Sequence, residues 1–373
     1  MKKIAVLRDM EFSNSDVCII NRHQPGFTSS RTAFFPSCQL AASSPQSVRR
    51  VYEYLFEKLD GGVGLMLNCC GAPANWDGRE DLFQATIRQV EGHWRSLGRP
   101  AIVTACPTCF NILRQNLPDA SVETLYTVLE RIGLPDNKTA AVSPQKLAIH
   151  DSCAKVSDLY QSVRNILGLL GHEIEELPLN RDQAVCCGYG ELKIFTNRKA
   201  VCEALHRRIG ESETDYVAYC AMCRDNLAGE GKRTYHLVDL IFGTEGDNSA
   251  QREVPGYAQR QENRGRLKTL LLREIWGESV TEAQPLVSLI IPDDVKGLME
   301  GRGILADDVL KVITCAESSG QKFKDIKSGH FIAYHRPVSV TYWVEYSPQG
   351  GKFLVHNAYS HRLEISGQVG EDG

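Results

Sequence analysis

The chain has 373 residues, 46 of them acidic and 42 basic, for a formal charge of -4. That near balance, without a basic stripe interleaved with aromatics, argues against a nucleic-acid-binding protein. The opening MKKIAVLRDMEFSNSD reaches acidic residues before a signal-peptide core can form, and no later stretch approaches the roughly 20 apolar residues that cross a bilayer. The expectation is a cytoplasmic protein, at most peripheral to a membrane-associated complex.

Residues 1–29 are set apart as an N-terminal segment. Short apolar runs then alternate with amphipathic stretches: TAFFPSC, VGLMLNCCG, AIVTACPTC, KLAIHDSC, AVCCGYG and YVAYCAMC read as buried parallel strands that end in cysteine. Between them SPQSVRRVYEYLFEKL, REDLFQATIRQVEGHWRSL, VSDLYQSVRNILGLL and ELKIFTNRKAVCEALHRRI read as helices, the first with Pro45 in its opening turn after Ser44. This is the pattern of two α/β units with open parallel sheets, over 30–143 and 144–244. The polar stretch 245–265 reads as a linker. Beyond it, 266–373 predicts a small α+β domain: RLKTLLLREIWG and LADDVLKVITCAESSG look helical, and three strands around a Pro-Gln-Gly-Gly turn follow.

Ten of the 13 cysteines form two copies of one pattern: Cys38, Cys69-Cys70-Gly71, Cys106-x-x-Cys109, and Cys153, Cys186-Cys187-Gly188, Cys220-x-x-Cys223. Spacers of 30 and 35 residues in the first copy match 32 and 32 in the second, and equivalent cysteines lie 114 to 117 positions apart. Side chains of adjacent residues on a strand point to opposite faces, so a Cys-Cys pair serving one centre requires the chain to turn, which the following glycine permits. Five thiolates exceed the four ligands of a structural zinc. Soft sulfur donors favour an iron-sulfur centre over zinc or metal-free redox dithiols. Cys18, Cys202 and Cys315 lie outside the pattern; Cys202 and Cys315 read as small packed hydrophobes, Cys18 less clearly so.

Over residues 30–244, and at all ten repeat cysteines, the chain resembles the cysteine-rich CCG family represented by the cluster-bearing subunit of heterodisulfide reductase. The resemblance implies two noncubane [4Fe-4S] clusters. One would be held by Cys38, Cys69, Cys70, Cys106 and Cys109, and the other by Cys153, Cys186, Cys187, Cys220 and Cys223. It further implies an oxidoreductase subunit that cleaves a disulfide or related small acceptor lying between the clusters. A relay subunit without its own substrate, and an organic-acid or quinone-linked subunit, are the alternatives. The chain has neither a ferredoxin cysteine run nor a convincing Gly-x-Gly-x-x-Gly fingerprint. Electrons are therefore expected from ferredoxin-like iron-sulfur or flavoprotein partner subunits.

His150 and Asp151 before Cys153, and Arg224 after Cys223, are candidate auxiliary groups that tune potential or orient a substrate; strand-end or capping roles are the alternative. Their first-copy counterparts, Phe35, Pro36 and Phe110, differ chemically. His236 is a weaker candidate of the same kind. In the terminal domain His330, His335, His356 and His361 accompany Tyr334, Tyr342, Tyr346 and Tyr359. Strand alternation would scatter these side chains, so a docking surface or accessory fold is expected there before a metal site.

Overall fold

The computed structural model describes residues 3–136, 142–243, 246–279, 288–336 and 341–361. It divides into two compact units, one over Val6–Val280 and one formed by Met1–Ala5 with Thr281–Gly373.

The larger unit holds two sheets of one topology. The first contains β1 (Ile20–Arg22), β2 (Thr32–Phe35), β3 (Val63–Leu67), β4 (Ala101–Thr104) and β5 (Val122–Thr124), in the order β1-β3-β2-β4-β5. The second contains β6 (Lys146–His150), β7 (Glu173–Glu176), β8 (Tyr216–Ala218) and β9 (Thr234–His236), in the order β7-β6-β8-β9. All pairings are parallel except that of β1 with β3. Removing that antiparallel edge strand leaves the same order in both sheets, so the repeat of cysteines is a repeat of fold. In each sheet the strand order reverses beside the first strand of the unit, and open α/β sheets bind ligands beyond the carboxyl ends of strands at such a point.

Helices follow the strands in chain order: α1 (Lys3–Ser13) precedes the first sheet, and α2 (Cys38–Ser43), α3 (Pro45–Lys58), α4 (Ala72–Trp76), α5 (Glu80–Ser96), α6 (Pro107–Asn116) and α7 (Leu125–Ile132) connect it. The second sheet carries α8 (Ser157–Leu169), α9 (Lys193–Thr196), α10 (Arg198–Ile209), α11 (Ala221–Gly229) and α12 (Leu237–Phe242), and α13 (Tyr257–Glu274) closes the unit. Alternation along the strands sorts the cores. Phe34 and Ile149 face a core shared by both sheets, where Val48, Leu55, Leu129, Val163 and Ile241 meet. Phe35 faces an outer core with Met66, Val90 and Trp94, and Ala148 faces its counterpart with Tyr216, Leu205 and Leu227.

Four expectations change. The 1–29 segment is part of the first sheet and its surroundings: β1 pairs with β3, and α1 sends Val6 to one outer core and Leu7 and Met10 to the other. Residues 257–265 of the expected linker form the first half of α13. Its periodicity is hidden because Arg260, Gln261 and Arg264, all polar, are on its buried side. The unit boundary accordingly falls after Val280, not at 265. The strand expected at AVCCGYG is a loop; its place in the sheet is taken by β7, the edge strand Glu-Ile-Glu-Glu, which ends ten residues before Cys186 and is too polar to read as buried. Finally, the expected 191–209 helix breaks at Asn197, whose side chain caps α10 by accepting from the Ala200 amide.

The smaller unit is α+β, as expected. Its sheet runs β10 (Leu289–Ile290), β14 (Lys352–His361), β13 (Thr341–Gln349), β12 (Phe331–His335) and β11 (Phe323–Lys324). α14 (Asp293–Arg302) and α15 (Ala306–Ser319) cover a core of Val309, Val312, Tyr342, Val344, Tyr346 and Val355. The hairpin turns at Gly350 and Gly351, with φ of 58° and 75°, the left-handed pair that a two-residue turn requires. Residues 1–2, 137–141, 244–245, 280–287, 337–340 and 362–373 of the expected domains lie outside the described residues.

Candidate metal centre

The ten repeat cysteines come together, and all are free thiols. Cys38 opens α2 directly after β2, and Cys69-Cys70 follow β3, where Gly71 turns the chain at φ 86°. Cys106 precedes α6 as its N-cap, with Cys109 in the first turn. In the second unit Gly188 makes the same turn at φ 87°, and Cys220 caps α11 with Cys223 in its first turn. The caps nearly superpose in dihedral space: φ −118° and ψ 123° at Cys106, φ −120° and ψ 124° at Cys220.

Neighbouring thiols are electrostatically coupled in one continuous run. It passes from Cys38 through Cys69, Cys70 and Cys109 to Cys106. Cys106 contacts Cys220, and the run continues through Cys223, Cys187 and Cys186 to Cys153. Cys153 donates to Cys186 at 3.5 Å and Cys223 to Cys187 at 3.4 Å. The order is palindromic with respect to the repeat, and the two halves join at Cys106 and Cys220. Cys70 accepts from Cys109 and Cys69, which brings it down to about 6. Bonds from Cys109 and Cys220 hold Cys106 well below the usual thiol range, and those from Cys153 and Cys187 draw Cys186 down to about 2. Donation to Cys69 and burial push Cys38 up. Among the described residues no three His, Cys, Asp or Glu side chains close around a single ion position. The donors are two sets of five soft sulfurs along a run, a composition suited to an iron-sulfur centre.

A cleft of about 450 Å³, counting its open mouth, lies over the junction. Its walls carry all five cysteines of the first set and Cys220 of the second, with Trp76, Pro73, Tyr189 and Met222. Ser37, Gln39, Thr108 and the Tyr189 hydroxyl are its polar groups besides the thiols; no Lys, Arg, Asp or Glu lines it.

Comparison with known proteins accounts for the repeat. The model of the cysteine-rich domain CCG matches at residues 32–114 and again at 147–228. The chain carries two CCG domains. It is also 26% identical over 195 residues to the "EtfAB:quinone oxidoreductase" of Syntrophomonas wolfei subsp. wolfei, an alignment covering 48% of this chain and 27% of that protein. The chain thus spans about a quarter of the curated relative's length. Among the described residues no helix is long and apolar enough to cross a membrane.

The polar groups around the CCG thiols divide by role. Asp151 is buried and committed: Arg164 binds it at 2.8 and 3.2 Å, the Tyr219 hydroxyl donates at 3.0 Å and the Arg181 amide at 2.9 Å. Burial opposes its charge, but these donors outweigh it and hold its carboxyl below the usual range. Arg224 is equally committed, to the carbonyls of Thr234 and Ser249 and to Asp225. His236 caps α12, its Nδ1 accepting from the Val238 amide at 3.3 Å. None of these three lines the cleft. His150 differs, because its Nε2 is buried without a partner.

Residues with no sequence signal brace the thiols. Asn14, one residue beyond α1, accepts from the Cys69 amide at 2.8 Å, and Asn226 donates to the Cys187 carbonyl at 2.9 Å. Arg264 donates to the Cys38 carbonyl at 2.8 Å while paired with Asp9. Arg260 pairs with Asp225 and donates to Gln39, which donates to Tyr189. The i,i+4 spacing of Arg260 and Arg264 was the available clue, but only burial distinguishes it from a solvated helix face.

Of the remaining cysteines, Cys18 is buried near Cys38, whereas Cys202 and Cys315 are only partly buried and Cys202 donates to Glu230. In the smaller unit His330 and His356 stack at 3.6 Å, held by Glu345 and Ser347. Trp343 contacts Tyr334, Tyr359 and His361 on the same sheet face. His335 joins neither group, and Tyr342 and Tyr346 are buried in the core.

Proposed function

We propose that this chain is an iron-sulfur electron-transfer subunit of an oxidoreductase, with a centre on each five-thiol set and a small acceptor in the cleft between them. The observation that supports it is the run of ten thiols joined at Cys106 and Cys220 beneath a cleft to which both CCG domains contribute. Cys38, Cys69, Cys70, Cys106 and Cys109 hold one noncubane [4Fe-4S] centre, and Cys153, Cys186, Cys187, Cys220 and Cys223 hold the other. Such centres supply electrons one at a time, which suits the two-electron cleavage of a disulfide between them. The residues of this chain fix the geometry. Asn14 and Asn226 hold the backbone at the two Cys-Cys corners, Arg264 holds that of Cys38, and Trp76, Tyr189 and Met222 limit water in the cleft. Electrons come from ferredoxin-like or flavoprotein partner subunits.

A quinone-linked role is the second reading. A largely apolar lining without Lys or Arg suits a planar neutral acceptor better than one with several anionic groups. The relative named an oxidoreductase of EtfAB and quinone points the same way.

The experiment is anaerobic purification, iron and sulfide analysis, and electron paramagnetic resonance during titration with a low-molecular-weight disulfide and, separately, a short-chain quinone. Signals from two centres that respond to the disulfide support the first reading, and response to the quinone alone supports the second. Zinc without sulfide rejects both. Intact centres that neither compound perturbs leave the chain a relay.

A further inference from the structure

His150 and Arg208 form a buried pair beside the second thiol set, each 1% exposed. Arg208 Nε donates to His150 Nδ1 at 3.3 Å. A guanidinium can only donate, so Nδ1 is the acceptor and the neutral ring carries its proton on Nε2. Burial and the Arg208 charge keep the ring neutral, pushing it down to about 3, and it lies within electrostatic reach of Cys186. His150 Nε2 and Arg208 Nη2 are both buried without a protein acceptor. Leaving such donors unmet costs about 1–3 kcal/mol each, more for a charged group. Two of them belong to one hydrogen-bonded pair whose histidine lies within electrostatic reach of Cys186, which calls for an electron-rich acceptor there.

The first domain has no such pair. His150 ends β6 three residues before Cys153, and Phe35 ends β2 three residues before Cys38. Arg208 lies on α10 twelve residues before Cys220, and Trp94 lies on α5 twelve residues before Cys106. Phe35 and Trp94 are packed in the apolar core that contains Cys69 and Cys70. The guanidinium near the first set, Arg264, has its donors taken by Asp9 and the Cys38 carbonyl, whereas Arg208, though paired with Glu211, and His150 each keep a donor without a protein acceptor beside the second set. Hydrogen bonds to sulfur and nearby positive charge stabilise the reduced, more negative form of an iron-sulfur centre.

We infer that His150 and Arg208 donate hydrogen bonds to sulfur at the second centre and set its reduction potential above that of the first, making the pair an electrically asymmetric relay. This rests on the iron-sulfur reading above. His150 and Arg208 are positioning residues in it, acting on the centre without binding substrate.

Redox titration of the intact chain followed by electron paramagnetic resonance tests it. Two separate midpoints are expected in the wild type. H150F, which installs the first domain's residue, should lower only the higher midpoint, by tenfold or more in the reduction equilibrium, or about 59 mV for a one-electron centre. H150Q, which can still accept from Arg208 and donate onward, should largely preserve it, and R208Q should lower the same midpoint. Unmoved midpoints in both H150F and R208Q, with iron and sulfide intact, overturn the inference. Should the variants not fold, the wild type decides: histidine labelled with nitrogen-15 should couple to one centre in pulsed resonance, and absence of coupling overturns the inference while leaving the centres in place. Absence of iron and sulfide from the wild type instead fails the proposed function, and the inference with it.

Discussion

Cys106 and Cys220 are the point at which two copies of one fold touch through sulfur. Each caps the helix after its strand, their backbone dihedrals agree within 2°, and their thiols are coupled to each other. Elsewhere each thiol's neighbours belong to its own repeat. A ligand centred on this contact would address both sets at once, and a change confined to one set should leave the other able to load.

That independence is testable by metal content. Cys153→Ser or Cys186→Ser should reduce bound iron to roughly half and spare one of two spectroscopic signals, because all five thiols of the first set remain. Loss of both signals in either variant would show that the sets assemble as one centre.

Gly188 has stricter steric limits than Gly71. A Cβ at Gly188 would lie 2.2 Å from Val201 Cγ1, while at Gly71 the nearest atom is a Phe83 ring carbon at 3.1 Å. Both have positive φ, so Gly→Ala strains either backbone, but Gly188→Ala also drives into α10. Urea denaturation should show G188A destabilised by about 2–4 kcal/mol and G71A by about 1–2 kcal/mol, with V201A partly rescuing G188A.

The pair Asp9 and Arg264 joins α1 to α13 across 255 residues of sequence. Removing one partner strands a buried charge, so Asp9→Asn or Arg264→Met should cost about 3–5 kcal/mol in denaturant unfolding. The double change D9L with R264M should recover much of that loss. In the single Arg264 variant the Cys38 carbonyl also loses its donor, so iron retention of the first set should fall with stability.

Acid should weaken the larger unit through His236. Burial depresses this imidazole to about 4, against about 6.5 when unfolded. Between those values the unfolded chain binds the extra proton and the folded chain does not, so stability is fully present above pH 6.5 and declines as pH falls towards 4. The loss is on the order of 3 kcal/mol. His236→Asn, which can still accept from the Val238 amide, should flatten this part of the stability profile measured by chemical denaturation across pH.

Blocking the cleft should separate electron transfer to the acceptor from loading of the centres. Ala221→Trp, placed between Cys220 and Met222 on the lining, should lower acceptor turnover by about tenfold or more while iron content stays unchanged. Equal turnover would put the acceptor elsewhere.

The two thiol sets, their equivalence and the parallel α/β units around them are legible in the amino-acid order alone. The information there is local: apolar runs end in cysteine, glycines follow the Cys-Cys pairs, and spacers repeat nearly in register. The helices α3, α5 and α8 are legible for the same reason, since their apolar stripes face a core directly. Folding in three dimensions was needed to establish which thiols are neighbours, where the cleft opens and what Arg260, Arg264, Arg208, Asn14 and Asn226 do. Those side chains are polar, and a polar residue reads as solvated until its partner is known. For Arg264 that partner is Asp9, 255 residues earlier in the chain, and for Arg208 on α10 it is His150 at the end of β6. The same reasoning explains why α13 resembles a linker and β7 escapes notice: burial through ion pairs, and a polar edge strand, leave no hydrophobic periodicity to read.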